Sequence, residues 1–124
     1  MKTKGPLVSV VDDDESVRES LPDLLRELGF TARAFSSAEE FLTSDCLSLT
    51  KCLVLDVSMP GMTGPDLVRE LNRRRREIPV VFITAHSDES IRPAVRDQGA
   101  VECLIKPFSD TALLEALNLA LSAG

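Results

Sequence analysis

Short apolar runs alternate along the chain with longer amphipathic stretches. Five runs stand at residues 7–11, 32–35, 52–55, 80–83 and 103–105. The first, third and fourth are almost continuously apolar and rich in Val, Ile and Leu, which is typical of parallel strands covered by helices on both faces. The second alternates polar and apolar residues, which favours the edge of a sheet. The pattern predicts an open, three-layer α/β sandwich with right-handed crossovers.

Five helices are predicted between and after these runs. Their end signals are Gly29 and Gly99 as C-terminal stops, Ser37 with Glu40 as a capping box, Pro65 in a first turn, and Ser109 or Asp110 as an N-cap. The predicted buried stripes are Val17, Leu21, Leu24, Leu25 and Leu28 in the first helix, Leu67, Val68 and Leu71 in the third, and Leu113, Leu114, Leu117 and Leu121 in the fifth.

Two prolines fall inside predicted helices. Pro22 removes a hydrogen bond from the first helix and its ring crowds the carbonyl of Arg18, so we expect a kink there. Pro93 lies in the fourth helical region. A helix that begins late would place Pro93 in its first turn, where no hydrogen-bond donor is missed.

Composition narrows the class of protein. The chain has 124 residues, 44% of them hydrophobic, which predicts one domain with its own core. A net charge of −6 disfavours direct binding of nucleic acid, and the run Arg73 to Arg76 is interpreted as a solvated helix end. No window is long and apolar enough to span a membrane. Three cysteines without metal-ligand spacing fit a reducing cytoplasm.

Polar residues follow four of the five predicted strands. Asp12, Asp13 and Asp14 follow the first, and the other strands end in Asp56, Thr84 and Lys106. In an open parallel sheet the carboxyl ends of the strands meet at one edge, where ligands bind. We therefore expect these side chains to converge, with Asp14 serving instead as a helix cap.

Carboxylates gathered at one edge repel each other unless a cation neutralises them. Mg²⁺ prefers oxygen ligands and often combines one or two carboxylates with a substrate phosphate. Asp56 can then act as a nucleophile toward a phosphoryl group, while Thr84 and Lys106 interact with its oxygens. A phosphohydrolase is disfavoured because Ser58 stands where an acid–base carboxylate is needed. A flavodoxin-like cofactor binder is disfavoured because the three aspartates would repel its phosphate.

Four stretches carry the candidate site residues: VVDDDESVRESL, LVLDVSMPGMTG, VFITAHSD and CLIKPF. In their order and spacing they resemble the receiver domain of two-component response regulators. The resemblance implies a flavodoxin-like (βα)5 fold with strand order 2-1-3-4-5. Residues 1–124 would form a single receiver domain. Finer similarity points to the FixJ-like branch of LuxR-type transcriptional regulators, whose output domain is absent from this chain; an excised receiver is favoured over a stand-alone one.

The resemblance also implies residue roles. Asp56 would accept a phosphoryl group from the phosphohistidine of a sensor histidine kinase. The implied ligands of Mg²⁺, or Mn²⁺, are Asp12 (through water), Asp13, Asp56 and the carbonyl of Ser58. Thr84 and Lys106 would bind the phosphoryl oxygens, and the peptide bond between Lys106 and Pro107 is usually cis in the family.

One position departs from the family pattern. Three residues before the lysine the family has Tyr or Phe, whereas this chain has Cys103, which cannot act as an aromatic lever. We therefore expect the signal to pass through the loop after Thr84 and the fourth helix. The residues expected to modulate the switch are Cys103, His86, Ala85 and Pro107.

The resulting hypothesis is a cytoplasmic, phosphorylation-operated switch rather than a turnover enzyme. It would catalyse only its own phosphorylation and dephosphorylation. A second copy of the chain is also an expected partner, in a homodimer formed on phosphorylation. Leu119 on the fifth predicted helix is an apolar residue that could contribute to its interface. The alternative is a stand-alone or phosphorylation-independent receiver-like interaction module.

Overall fold

The computed structural model describes residues 5–85 and 102–123. Within these ranges the elements are β1 (Leu7–Val11), α1 (Glu15–Glu27), β2 (Thr31–Phe35), α2 (Ala38–Leu42), a 3-10 helix (Asp45–Ser48), β3 (Cys52–Asp56), α3 (Gly64–Arg73), β4 (Val80–Thr84), β5 (Glu102–Ile105) and α4 (Asp110–Ala123). The predicted strands are confirmed to within one residue at each end. The predicted fourth helix, with Pro93 and Gly99, lies outside the described residues.

The five strands form one parallel sheet in the order β2-β1-β3-β4-β5. This confirms the predicted order and places the alternating run, β2, at an edge. Helices cover both faces of the sheet. Leu25 of α1 and Leu117 of α4 pack on one face, while Phe41 of α2 and Leu67 of α3 pack on the other.

The central strands bury both of their side-chain rows because both faces are covered. In β3, Leu53 and Leu55 point toward α2 and α3, whereas Cys52 and Val54 point toward α1 and α4. Alternation between two buried faces explains why this strand reads as a continuous apolar run. The side chain of Cys52 is fully buried, and this burial raises the pKa of its thiol to about 12.

The helix ends follow the sequence signals with two corrections. The Ser37 hydroxyl accepts a hydrogen bond from the Glu40 N–H at 3.0 Å, as predicted. The Glu40 carboxylate, however, accepts from the Ser36 N–H at 2.6 Å, so the predicted reciprocal half of the capping box is wrong. A complete capping box, which the sequence analysis missed, joins Thr63 and Asp66 at the start of α3.

The remaining helix predictions are mostly confirmed. Helix α1 ends before Gly29, which has a φ of +100°, and it runs continuously through the buried Pro22; the kink stays a prediction. Ser109 caps α4 by accepting from the Ala112 N–H at 3.0 Å. Leu114 of α4, predicted to face the sheet, is only half-buried, whereas Ala116 and Ala120 are buried in the core beside Leu113 and Leu117.

The basic run at the end of α3 is exposed, as predicted. The Glu70 carboxylate accepts hydrogen bonds from the guanidinium groups of Arg73 and Arg74, and these bonds lower its pKa to about 2. Within the described residues no helix is long and apolar enough to cross a bilayer.

Gly64 permits a close approach between α3 and the end of β3. A Cβ atom at this position would lie 2.4 Å from the carbonyl oxygen of Asp56 and 2.9 Å from the ring of Phe82. The Gly64 N–H donates to the Val57 carbonyl at 3.1 Å. A residue without a side chain is therefore needed where this helix meets the strand that carries Asp56.

The substitution Gly64→Ala is expected to lower the free energy of unfolding by about 1–3 kcal/mol, because the added methyl group meets backbone atoms that cannot move freely. Helix propensity alone predicts the opposite sign, a gain of up to about 1 kcal/mol. Urea denaturation measures the difference. The exposed Asn72→Ala change in the same helix serves as the control and is expected to stay within about 0.5 kcal/mol of the parent. A Gly64→Ala protein at least as stable as the parent would contradict the steric argument.

Candidate functional site

Asp56 is the last residue of β3, and its surroundings at the carboxyl end of the sheet are largely closed to solvent. Only 6% of the residue is exposed. It pairs in register with Ile83 of β4, and the following Val57 N–H donates to the Ile83 carbonyl at 3.0 Å. The central strands thus hold the backbone of Asp56, while one carboxylate oxygen accepts a long hydrogen bond, 3.4 Å, from the Ser58 N–H.

Asp12 lies beside Asp56 because the two neighbouring strands end at the same level. Val11 pairs with Leu55, and the residues that directly follow this pair are Asp12 and Asp56. Asp12 is fully buried, and both of its carboxylate oxygens have donors: the Asp14 N–H at 2.9 Å and the Lys106 ammonium at 2.8 Å. Its backbone N–H donates to the Phe35 carbonyl at 3.1 Å.

Asp13 completes a cluster of three carboxylates. One oxygen from each of Asp12, Asp13 and Asp56 lies within 4.8 Å of the other two, and Asp13 alone of the three is exposed. Three hard oxygen donors, one of them open to solvent, fit a divalent cation that keeps part of its hydration shell. The donor set is therefore compatible with the predicted Mg²⁺ site.

Lys106 supplies positive charge to the same edge. It follows β5, its side chain is 20% exposed, and its ammonium forms the ion pair with Asp12. Burial acts to lower the pKa of Lys106, but the hydrogen bond and charge of Asp12, and the charge of Asp56, outweigh it and the pKa is raised. The ammonium is therefore held in its charged form beside the carboxylates.

The pKa of Asp56 is displaced in the other direction from that of an ordinary carboxyl group. Burial, followed by the negative charge of Asp12, raises it to about 7, although the charge of Lys106 and the Ser58 N–H oppose the change. Ionised Asp56 is thus costly in the protein without a bound cation.

The other predicted site residues lie around this cluster. Thr84 is buried at the end of β4, and its carbonyl accepts from the Lys106 N–H at 2.7 Å. Ser58 and Ala85 are exposed in the loops that follow β3 and β4. The Lys106–Pro107 peptide bond is cis, as the resemblance implies.

Three further predictions concern residues at or beyond the edge of the site. Asp14 caps α1, as predicted: its carboxylate accepts from the Ser16 N–H and hydroxyl, and these bonds lower its pKa. Cys103 is half-buried in β5 and packs against the core on the side of α2 and α3. His86 lies outside the described residues.

Two residues at the site were missed from the sequence. The guanidinium of Arg18 donates to the Asp12 carbonyl at 3.1 Å. Gly64 makes room for the Asp56 carbonyl. Neither has a local signal, since an arginine in a first helical turn and a glycine before a proline are both ordinary. Their roles depend on how the loops after β1 and β3 fold back toward the strand ends.

Residues 8–118 match the family described as the response regulator receiver domain. The chain belongs to this family. The match includes every described site residue of this receiver domain, from Asp12 to Lys106. The fold, the strand order and the convergence of the acidic cluster with Lys106 agree with that assignment.

Curated relatives show the same membership. The receiver domain is 46% identical over 111 residues to nodulation protein W of Bradyrhizobium diazoefficiens, covering 90% of this chain and 49% of the relative. It is 39% identical over 113 residues to the transcriptional regulatory protein FixJ of Rhizobium meliloti, covering 91% and 55%. The chain therefore spans about half the length of these relatives.

Solved structures agree in fold. The crystal structure of FixJ-N superposes with a TM-score of 0.87 at 36% identity, covering 97% of this chain and 96% of that one. The response regulator StyR gives a TM-score of 0.88 at 45% identity, covering 96% of this chain and 60% of that one. The predicted flavodoxin-like receiver fold and the predicted similarity to FixJ are confirmed.

The raised pKa of Asp56 predicts a pH-dependent stability in metal-free protein. The folded state holds the Asp56 proton up to about pH 7, whereas the unfolded chain releases it near pH 4, so the free energy of unfolding falls as the pH rises between these values. The Asp56→Asn protein lacks this loss and is expected to be more stable than the parent by up to about 4 kcal/mol at pH 8, with the difference shrinking toward pH 4.

Urea denaturation in EDTA across this pH range measures the effect. The exposed Asp45→Asn change provides a matched control, expected to follow the pH profile of the parent. A difference between the Asp56→Asn protein and the parent that is the same at pH 4 and pH 8 would show that the Asp56 carboxylate is not buried as described.

Proposed function

We propose that this receiver domain is a phosphoacceptor switch in which Asp56 takes up a phosphoryl group. The observation that supports this most strongly is the placement of a largely buried carboxylate next to two others and within the field of Lys106. A carboxylate in such a setting is destabilised in its ionised form unless a cation binds. It is thus suited to act as a nucleophile only when the metal is present.

The residues that would hold Mg²⁺, or Mn²⁺, are Asp12, Asp13, Asp56 and the carbonyl of Ser58, with Asp12 acting through a water molecule. The three carboxylate oxygens within 4.8 Å of one another support this assignment. When bound, the metal would neutralise the carboxylates and draw charge from the phosphoryl oxygens.

The transfer step is a displacement at phosphorus. An oxygen of Asp56 forms a bond to the phosphorus atom of phosphohistidine while the P–N bond breaks, and the imidazole keeps that electron pair and takes up a proton. The Lys106 ammonium and the Thr84 hydroxyl would stabilise the oxygens of the transferred group, because both residues stand at the ends of the strands beyond Asp56.

A sensor histidine kinase is the proposed donor of the phosphoryl group. The proposed location of the protein is the cytoplasm. Residues 1–124 would be the single receiver domain of a longer regulator, with transcription as its output. The relatives of about twice this length, among them one named as a transcriptional regulatory protein, support that view. We do not expect direct binding of nucleic acid by this domain, since its net charge is −6.

The proposed response to phosphorylation does not use the inward rotation of an aromatic side chain. Cys103 is half-buried where the family has Tyr or Phe, so the loop that begins at Ala85 would carry the change instead, with Pro107 and His86 modulating it. Leu119, 55% exposed on α4, offers an apolar position for a dimer formed on phosphorylation.

Incubation with Mg²⁺ and acetyl phosphate, followed by intact mass spectrometry, tests the proposal. We expect the parent to gain the mass of one phosphoryl group, the Asp56→Asn protein to gain none, and the Asp13→Asn protein to react at least about tenfold more slowly because a metal ligand is lost. EDTA is expected to abolish the gain.

The exposed Asp45→Asn protein is the matched control and should react as the parent does. A parent that gains no mass under any of these conditions, while remaining folded, would favour the alternative of a phosphorylation-independent interaction module. A gain of mass that survives the Asp56→Asn change would place the phosphoacceptor elsewhere.

A further inference from the structure

Arg18 grips the peptide that joins two of the clustered aspartates. From the first turn of α1 its guanidinium reaches back and donates to the Asp12 carbonyl oxygen at 3.1 Å. The Arg18 N–H donates to the Asp14 carbonyl, also at 3.1 Å, as part of the helix start. One residue thus contacts the β1–α1 loop on both sides of Asp13.

This contact matters for Asp13 because the side chains of Asp12 and Asp13 are restrained to different extents. Asp12 is buried, and its N–H and both carboxylate oxygens have donors or acceptors. Asp13 is exposed, so packing does not restrict its side chain. The direction of its carboxylate depends on the backbone that carries it, and the carbonyl of the Asp12–Asp13 peptide accepts the hydrogen bond from Arg18.

Charge and position predict opposite effects of Arg18 on a cation bound here. A guanidinium close to the carboxylates repels a divalent ion, so removing it would strengthen binding if charge alone mattered. If the guanidinium instead orients a ligand, removing it would weaken binding, as loss of a residue that orients a metal ligand generally does. The sign of the change therefore separates the two roles.

We propose that Arg18 is a positioning residue that orients Asp13 for a divalent cation through the Asp12 carbonyl. The inference rests on the proposed metal site. Arg18 touches neither the metal nor the phosphoryl group; it acts by fixing one peptide plane. Its long side chain spans from helix to loop, and its half-buried position limits competition from water for the carbonyl.

Isothermal titration of the protein with Mg²⁺ alone measures the effect without any phosphoryl transfer. We expect the Arg18→Gln protein to bind about tenfold more weakly than the parent. Arg26 gives a matched control on the same helix, since it also donates to a backbone carbonyl, that of Ala32, at 3.2 Å. The Arg26→Gln protein loses the same charge and the same kind of bond, and it should bind Mg²⁺ as the parent does.

The Arg18→Lys protein adds a rescue that a general loss of stability would not show. Lysine keeps the positive charge and one donor, so binding is expected to recover part of the lost affinity. Thermal unfolding followed by circular dichroism establishes that each variant is folded at the temperature of titration.

Binding by the Arg18→Gln protein that equals or exceeds that of the parent would overturn the inference, as would an Arg18→Lys protein no tighter than the Arg18→Gln protein. Failure of the metal site itself would look different. In that case the parent would not bind Mg²⁺, or its binding would survive the Asp13→Asn change.

Discussion

The crowding of carboxylates at one edge of the sheet is the constraint on which the site depends. Parallel strands of matching register bring Asp12 and Asp56 side by side in surroundings that exclude most of the solvent. Two buried negative charges at such proximity are unfavourable, and the raised pKa of Asp56 expresses that cost. The Lys106 ammonium offsets part of this cost by its ion pair with Asp12. Among the described residues Asp56 has no such ion pair, so a bound cation would stabilise its ionised form.

Backbone hydrogen bonds hold this unfavourable arrangement in place. The backbones of Asp12 and Asp56 are hydrogen-bonded to neighbouring strands. In the loop that carries Asp13, the Asp14 N–H donates to the Asp12 carboxylate and the Arg18 guanidinium donates to the Asp12 carbonyl. The close approach of α3 at Gly64 supports the end of β3 from the other side. Much of the precision of the site therefore comes from residues that would never contact a ligand.

Membership of the receiver family and the geometry of the site support the same chemistry on separate grounds. The family match covers residues 8–118, and the relatives that resemble the chain are about twice its length. Cys103 bears on the proposed route by which a signal would leave the site, whereas the carboxylates and Lys106 bear on the proposed uptake of a phosphoryl group.

The hydrophobic pattern predicted the strands and the polar residues at the carboxyl edge of the sheet, whereas the order of the strands was implied by the resemblance to the receiver family. Apolar composition marks strands that are buried on both faces, and every residue of β3 and β4 is buried, including the polar Asp56 and Thr84 at their ends. The polar residues that follow such strands are readable because parallel strands end together. The matching motifs then supplied roles for Asp56, Asp13 and Lys106 that spacing alone would not have assigned.

Which side chains and backbone groups contact each other depends on the packing of the folded chain. The Glu40 carboxylate accepts a hydrogen bond from the Ser36 N–H rather than from the Ser37 N–H. Ala116 is buried in the core whereas Leu114 is only half-buried, so packed geometry decides between residues of similar local preference. Arg18 reaches the Asp12 carbonyl across a loop, and Gly64 faces the Asp56 carbonyl across a helix start. Arg18 and Gly64 contact residues six and eight positions earlier in the chain, and whether they do so depends on the path of the intervening loops over the packed sheet, which local preference does not specify.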